Sequence, residues 1–325
     1  MLPQRLKAGD STVFADGASR SLRRRSYNTS NMPDLPDLIV IIGPTAAGKS
    51  ALAMEMAPCV SGEIISADSR HVYRGMNIGT NKPSLADQRA VPHHLIDLRA
   101  PHESFSLSEY VQLARAVIDD VTARGKTPLL VGGTGQYIRA LLQGWQVPEA
   151  PPDEALRKKW LRFGEQHGAG ALFAELAQRD PTAGTTIDPH NVRRVVRALE
   201  VMELTGRRWS DLQRRQPLPY RTQMHYVNAP RDELYARADA RLMQMVEQGW
   251  LEETQELLAG FTALGMDVDA ALRLPAMSAL GYREMAGVAL GRLSMSDAIA
   301  EIKRATRRFI RMQDTWFRKD ATLRT

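Results

Sequence analysis

Leu38-Ile39-Val40-Ile41-Ile42-Gly43-Pro44-Thr45-Ala46-Ala47-Gly48-Lys49-Ser50 decides how this chain is read. Its last eight residues fit the phosphate-binding P-loop pattern G-x-x-x-x-G-K-[ST] at every fixed position, and the five aliphatic residues in front supply the buried strand that the motif requires. Ser50 to Ala57 is rich in helix formers up to Pro58, so the loop opens a helix. Loop amides and the positive end of that helix then face one point, where a polyphosphate fits. Gly43 and Gly48 let the backbone bend, with Pro44, Thr45, Ala46 and Ala47 between them. Lys49 brings an ammonium to the phosphates, and the Ser50 hydroxyl is placed to ligate Mg²⁺. A glycine-rich turn that merely carries a lysine lacks the strand before it and the helix after it. The loop alone does not say which diphosphate it holds or which bond breaks.

The 325 residues suffice for one large α/β domain and a smaller one. No apolar run approaches the ~20 residues that span a bilayer. Cys59 is the only cysteine, which excludes an intrachain disulfide and a cysteine-built zinc site and suits a reducing, cytoplasmic compartment. The net charge of +6 is unevenly spread: residues 1–31 hold six basic and two acidic residues, leaving only +2 for the remainder. Any nucleic-acid reading must therefore rest on local clusters.

Residues 1–31 show no hydrophobic periodicity and are rich in Ser, Arg and Gly, so a disordered extension is expected ahead of the folded chain, taken as 1–36. A transit peptide is the alternative, with Asp10 and Asp16 against it. Gly62 to Asp68 reads as a strand that delivers Asp68 to the sheet edge where ligands bind, either as a Mg²⁺ anchor, as a general base, or as a plain cap on the next segment. Ser69 to Met76 mixes Arg70 and Arg74 with His71 and Tyr73, a combination suited to gripping phosphate and stacking on a base. His93-His94 reads as structural, and Leu95-Ile96-Asp97 as a buried strand. Ser106 to Arg124 is an amphipathic helix, Thr127 to Val131 a third strand, and Gly132-Gly133-Thr134-Gly135 a second glycine-rich turn at the same edge.

From Gln146 the texture changes. Pro148, Pro151 and Pro152 mark a junction, and Asp153 to about Leu212 reads as helices without a strand, so 148–221 is expected to be an all-helical insertion in a core made of 37–147 and 222–325. On the helix 191–204, Val192, Val195, Val196, Leu199 and Met202 point inward and leave Arg193, Arg194 and Arg197 for solvent or a polyanion. The closing helix, from Ser296 to about Arg318, carries Ile302, Ala305, Phe309, Met312 and Trp316 at helical spacing, which reads as a core stripe, with Arg304, Arg307, Arg308, Arg311 and Arg318 off it. The fold class is α/β, a P-loop NTPase-like parallel sheet flanked by helices.

The succession Gly43 to Ser50, Ser66 to Met76, Asn77 to Pro83, His93 to Asp97, Val131 to Gly135, Arg197 to Glu200, Gly281 to Glu284 and Arg311 to Arg318 resembles the tRNA dimethylallyltransferase, or tRNA isopentenyltransferase, family over about Asp37 to Arg318. The resemblance implies transfer of a dimethylallyl group from dimethylallyl diphosphate to the exocyclic amine of the adenine 3′ of the anticodon, in tRNAs reading UNN codons. It implies that the P-loop holds the prenyl diphosphate with Mg²⁺ rather than ATP. Thr45, Gly48, Lys49 and Ser50 would hold donor, with Thr45 and Lys49 counted with Asp68 as catalytic and Asp68 as base. Asp68, Ser69, Arg70, His71, Thr134, Arg157, Arg193, Arg194, Arg197, Arg283, Arg311, Gln313, Trp316 and Arg318 would contact the tRNA anticodon stem-loop. The chain departs from the family's usual residues at His71, often glutamine, and Asn77, often aspartate. A monomeric cytoplasmic enzyme is expected.

Three rivals come from other classes. A small-molecule P-loop kinase would use Asp68 on a hydroxyl and the insertion as a lid. An adenylate isopentenyltransferase would act on free nucleotides, against which the basic insertion argues. A non-catalytic tRNA-binding module would have no use for an intact P-loop.

Overall fold

The computed structural model describes residues 24–26, 37–145, 150, 153–212, 215–216 and 220–319. Up to the helical insertion the elements are β1 (Arg24–Ser26), β2 (Asp37–Ile42), α1 (Lys49–Cys59), β3 (Gly62–Ser66), α2 (Leu85–Ala90), β4 (His93–His94), α3 (Leu107–Ala123), β5 (Thr127–Gly132) and α4 (Gly135–Leu142). The sheet order is β1-β6-β2-β5-β3-β4, where β6 is Arg221–Tyr226; all pairs are parallel except β1 with β6. Strand β2 sits inside because it is apolar on both faces. Leu38, Val40 and Ile42 pack under α3 and α4, while Ile39 and Ile41 pack under α1, as alternation along a strand requires.

Register fixes where the loops emerge. Ile42 pairs with Gly132 on one side and Tyr226 on the other, and Ser66 pairs with Val131. The turns after β2, β3, β5 and β6 therefore leave from one sheet edge. Gly132 is needed there, because a Cβ would meet the Ala67 carbonyl oxygen at 2.2 Å.

The insertion carries α5 (Glu154–His167), α6 (Ala169–Arg179), α7 (Pro181–Thr186), α8 (Val192–Thr205) and α9 (Trp209–Leu212). These helices bury Trp160, Leu172, Leu176, Val195, Val196 and Leu199 in a core of their own. Its start and return meet at a neck where Trp145 bridges Arg215 and the Gln216 N–H donates to the Gly144 carbonyl at 2.9 Å. After β6 come α10 (Arg231–Glu247), α11 (Trp250–Ala263), α12 (Val268–Ala271), a 3₁₀ turn at Ala276–Ser278, α13 (Tyr282–Ala289) and α14 (Met295–Lys319), which share a separate core around Trp250 and Tyr282.

Two expectations are corrected. Arg24–Ser26 form an edge strand on β6, so the extension 1–36 is not wholly without structure; its other residues lie outside the described ones, as do Pro148, Pro151 and Pro152. The strand expected at Leu95-Ile96-Asp97 is instead His93–His94. Leu95 and Asp97 take φ of 62° and 56°, which no strand tolerates. Beyond them the chain zips onto 71–74 through Asp97 N–H to His71 O and Arg99 N–H to Val72 O.

Candidate active site

One cavity of about 510 Å³ opens at the shared sheet edge, and Thr45, Lys49, Asp68 and Thr134 all line it. Gly43 lets the phosphate loop pass β6, since a Cβ there would meet the Val227 carbonyl oxygen at 2.0 Å. Gly48 starts α1 at φ 95°, with no side chain capping the helix and no acidic residue in its first turn. The first amides of α1 are thus left for an anion. Ala46 sits at φ 66°, a costly conformation that the loop imposes on a residue with a Cβ.

Lys49 donates to the Pro44 carbonyl at 2.7 Å. Burial lowers its pKa to about 8, against the pull of the Asp68 carboxylate and with a further push from Arg241. Arg241, on α10, has its own pKa lowered by burial and supported by Asp68. The three groups, two cations and one carboxylate, are partly buried together in the cavity wall, where charge on a ligand is felt more strongly than in bulk water. Asp68 is oriented by the Arg70 N–H, which donates to its Oδ1 at 2.8 Å. Thr134 accepts from the Ser69 N–H at 3.0 Å, which locks the second glycine turn to the Asp68 loop.

Arg241 was not among the sequence candidates. Its signal was an arginine inside the otherwise apolar stripe Ala238, Leu242 and Met245 of α10, spaced i, i+3, i+4 and i+7. Gly79, Thr80 and Asn81, from the Asn77 to Pro83 stretch that carried part of the family resemblance but no site assignment, also line the cavity. Lys82, nearby, is structural: its buried ammonium donates to Tyr73 O, Asn77 Oδ1 and Asp97 Oδ1.

The closing helix departs from its expected role. Ile302 is buried in the core as expected and also borders the cavity, but Phe309, Met312 and Trp316 line the cavity and Met312 is 58% exposed. The buried residues of this helix are Ala298, Ile302, Ile310, Gln313, Asp314 and Phe317. The apolar spacing is that of a cleft wall, which the same periodicity produces. Trp316 also carries the Arg139 guanidinium 4.5 Å above its ring and presses on Gly135, where a Cβ would meet it at 2.3 Å.

Several residues expected to face RNA are occupied within the chain. His71 lies 3.0 Å from Ser66 Oγ and 3.2 Å from Thr80 O. Tyr73 is core rather than a stacking platform. Arg157 and Arg197 both reach Glu200, which is fully buried; Arg197 donates to it at 2.8 Å and to the Ala150 carbonyl at 2.6 Å. Arg318 is held by Asp314, and Gln313 by the two glycine turns. Arg70 donates to Pro275 O at 2.6 Å, Arg283 to Leu272 O, and Arg311 to Tyr235 Oη. Arg193 and Arg194 are exposed on α8.

Ser50 is exposed in the first turn of α1, beside Lys49. A single hydroxyl next to a phosphate cradle suits Mg²⁺, which usually takes few protein ligands and completes its shell with phosphate oxygens and water. Among the described residues no group of three His, Cys, Asp or Glu is placed to hold a metal, and no helix is long and apolar enough to cross a membrane.

A family model described as IPP transferase matches residues 71–320. The chain is 50% identical to the tRNA dimethylallyltransferase of Chloroflexus aggregans over 283 residues, 87% of this chain and 93% of that one. It is 49% identical to the tRNA dimethylallyltransferase of a Roseiflexus species, covering 87% and 90%. Among solved structures it resembles the tRNA isopentenylpyrophosphate transferase of Bacillus halodurans, with TM-score 0.62 at 38% identity over 88% of both chains. It also resembles a eukaryotic dimethylallyltransferase acting on tRNA, with TM-score 0.74 at 28% identity over 87% of this chain and 70% of the other.

Proposed function

This chain belongs to the IPP transferase family of tRNA-modifying prenyltransferases, and from that membership we propose that it moves a dimethylallyl group from dimethylallyl diphosphate to N6 of the adenine 3′ of the anticodon in tRNAs reading UNN codons. The observation that carries the reading is the convergence of Lys49, Arg241 and Asp68 in one cavity whose remaining wall is largely apolar. A diphosphate needs the cations, a C5 chain needs the apolar wall, and an amine that must lose a proton needs the carboxylate.

The lone pair of an adenine amine is delocalised into the ring, which makes it a weak nucleophile. The reaction is therefore helped most by easing departure of the leaving group. The N6 lone pair forms a bond to C1 of the allylic chain as the C1–O bond breaks and its electrons pass to the diphosphate. Loop amides, Lys49 and Arg241 stabilise the charge that grows there. Asp68 takes the proton from N6 as the amine becomes cationic. Ser50 would hold a Mg²⁺ ion bound with the donor, which would supply Lewis-acid neutralisation of the leaving diphosphate. The adenine reaches the cavity only when turned out of the anticodon loop. Arg193 and Arg194 on α8 of the helical insertion, with Arg311 and the Arg139–Trp316 pair, are the groups we assign to hold that loop. Arg157 and Arg197 support this surface through Glu200. The enzyme is read as a cytoplasmic monomer.

The test is incubation of purified protein with Mg²⁺, dimethylallyl diphosphate and tRNA, followed by nucleoside mass spectrometry. One adenosine should gain a C5H8 unit. Transfer of label from ATP to an acceptor would establish the kinase reading, and modification of free adenine nucleotides in preference to tRNA would establish the adenylate reading.

A further inference from the structure

The cavity has a direction. Ala238, Arg241, Leu242 and Met245 line it from one face of α10. Ala238 packs with Ala47 of the phosphate loop and with Ile310, whereas Leu242 and Met245 pack with Trp250 and Ile302. At 1.5 Å per residue, the step from Ala238 to Met245 is about 10 Å. The cavity therefore runs from a phosphate end, past the Arg241 guanidinium, to an apolar end at the indole of Trp250.

That indole is held from several sides. It is only 2% exposed, and it lies between two glycines: a Cβ on Gly79 would meet its ring at 2.0 Å, and one on Gly281 at 2.1 Å. The Tyr282 ring meets it edge-on with centroids 5.6 Å apart. Gly79 cannot retreat, because its N–H donates to the Glu253 carboxylate at 3.2 Å. The same carboxylate takes the Asn77 and Ile78 N–H groups at 2.7 Å each and the Tyr282 hydroxyl at 2.6 Å. A close-packed wall of this kind resists displacement, so a ligand too long for the space must go elsewhere.

We propose that Trp250 is the chain-length gauge of the donor site, closing its apolar end and excluding C10 and longer allylic diphosphates. The proposal rests on the reading of the donor as a prenyl diphosphate. Leu242, Met245 and Ile302 offer only apolar surface, so discrimination at this end is steric. Each misfitting group there is worth a factor of about ten to two hundred.

The experiment compares kcat/KM for dimethylallyl diphosphate and geranyl diphosphate, with tRNA as acceptor, in the full chain and in Trp250→Leu, Trp250→Phe and Met245→Ala. The wild type should use the C5 donor and reject the C10 donor. In Trp250→Leu the C10-to-C5 ratio should rise at least about tenfold. Trp250→Phe should shift it the same way by less, and Met245→Ala, at the same end, tests the wall should the leucine variant fail to fold. Folded variants whose ratio stays at the wild-type value would overturn the gauge and leave Trp250 a core residue alone. A wild type that accepts both donors equally overturns it too. A wild type that uses no prenyl diphosphate removes the donor assignment itself, an outcome distinct from an unchanged ratio.

Discussion

Gln313 of α14 accepts the Thr45 N–H at 2.8 Å, a bond between residues 268 positions apart. Its amide nitrogen donates to Gly133 O at 3.0 Å. One buried side chain thus ties the phosphate loop to the second glycine turn. Replacing it by alanine strands an N–H and a carbonyl, at about 1–3 kcal/mol for each group that water cannot reach. Gln313→Ala should lower the thermal midpoint and raise KM for the donor more than KM for tRNA. Equal changes in both KM values would mean that Gln313 serves stability alone.

Lys49 makes donor capture pH-dependent. Its pKa near 8 in the free protein means that it is charged below that pH and neutral above it. A diphosphate prefers the charged form, so kcat/KM for the donor should fall about tenfold per unit as pH rises beyond 8. Lys49→Arg, which stays protonated, should retain a flat profile there even if slower. For stability the sign is opposite. Between about 8 and the ordinary lysine value of 10.5 the unfolded lysine holds a proton that the folded one has lost, so this group's contribution to stability rises with pH across that window. A profile with no break near 8 would take Lys49 out of donor capture.

Asp68 and Arg241 should separate by step. Asp68→Asn keeps shape and hydrogen-bonding reach but cannot accept the proton, so turnover should drop about 10²–10⁴-fold while tRNA affinity holds. Arg241→Gln removes charge stabilisation from the leaving diphosphate and should cost about 10²–10³-fold in kcat. A better leaving group should rescue the Arg241 variant far more than the Asp68 variant. Single-turnover rates with such donors read the difference, and equal rescue would contradict the assignment.

Arg194 and Arg197 lie three residues apart on α8 with different surroundings. Arg194 is exposed, and Arg194→Ala should leave the thermal midpoint unchanged while reducing the salt slope of tRNA binding by about one. Arg197→Ala removes a partner of the buried Glu200 and should destabilise the protein by about 1–3 kcal/mol, seen in thermal unfolding. The reverse pattern would exchange their roles.

What could be read from the linear chain is what depends on neighbours in sequence. The phosphate loop, its strand and its helix were legible because backbone bending, amide direction and the lysine all lie within thirteen consecutive residues. Asp68 and Thr134 were legible because each ends a strand, and parallel strands present their ends at one edge. The family was legible from the order of such short motifs, and the insertion from its run of helices.

Side-chain partners brought together by folding were not legible. An apolar stripe has the same spacing whether it faces a core or a cavity, so the α14 stripe could be placed only once α10 and the sheet edge stood opposite it. An arginine on a helix carries no mark of its partner. Arg197 meets Glu200 and the Ala150 carbonyl, Gln313 meets two distant turns, and Arg241 faces Asp68, because burial forces a polar group to find its complement wherever the packed chain supplies one. The chemistry of the phosphate end was written locally; the depth of the cavity and the company of its charges came from contacts between segments far apart in sequence.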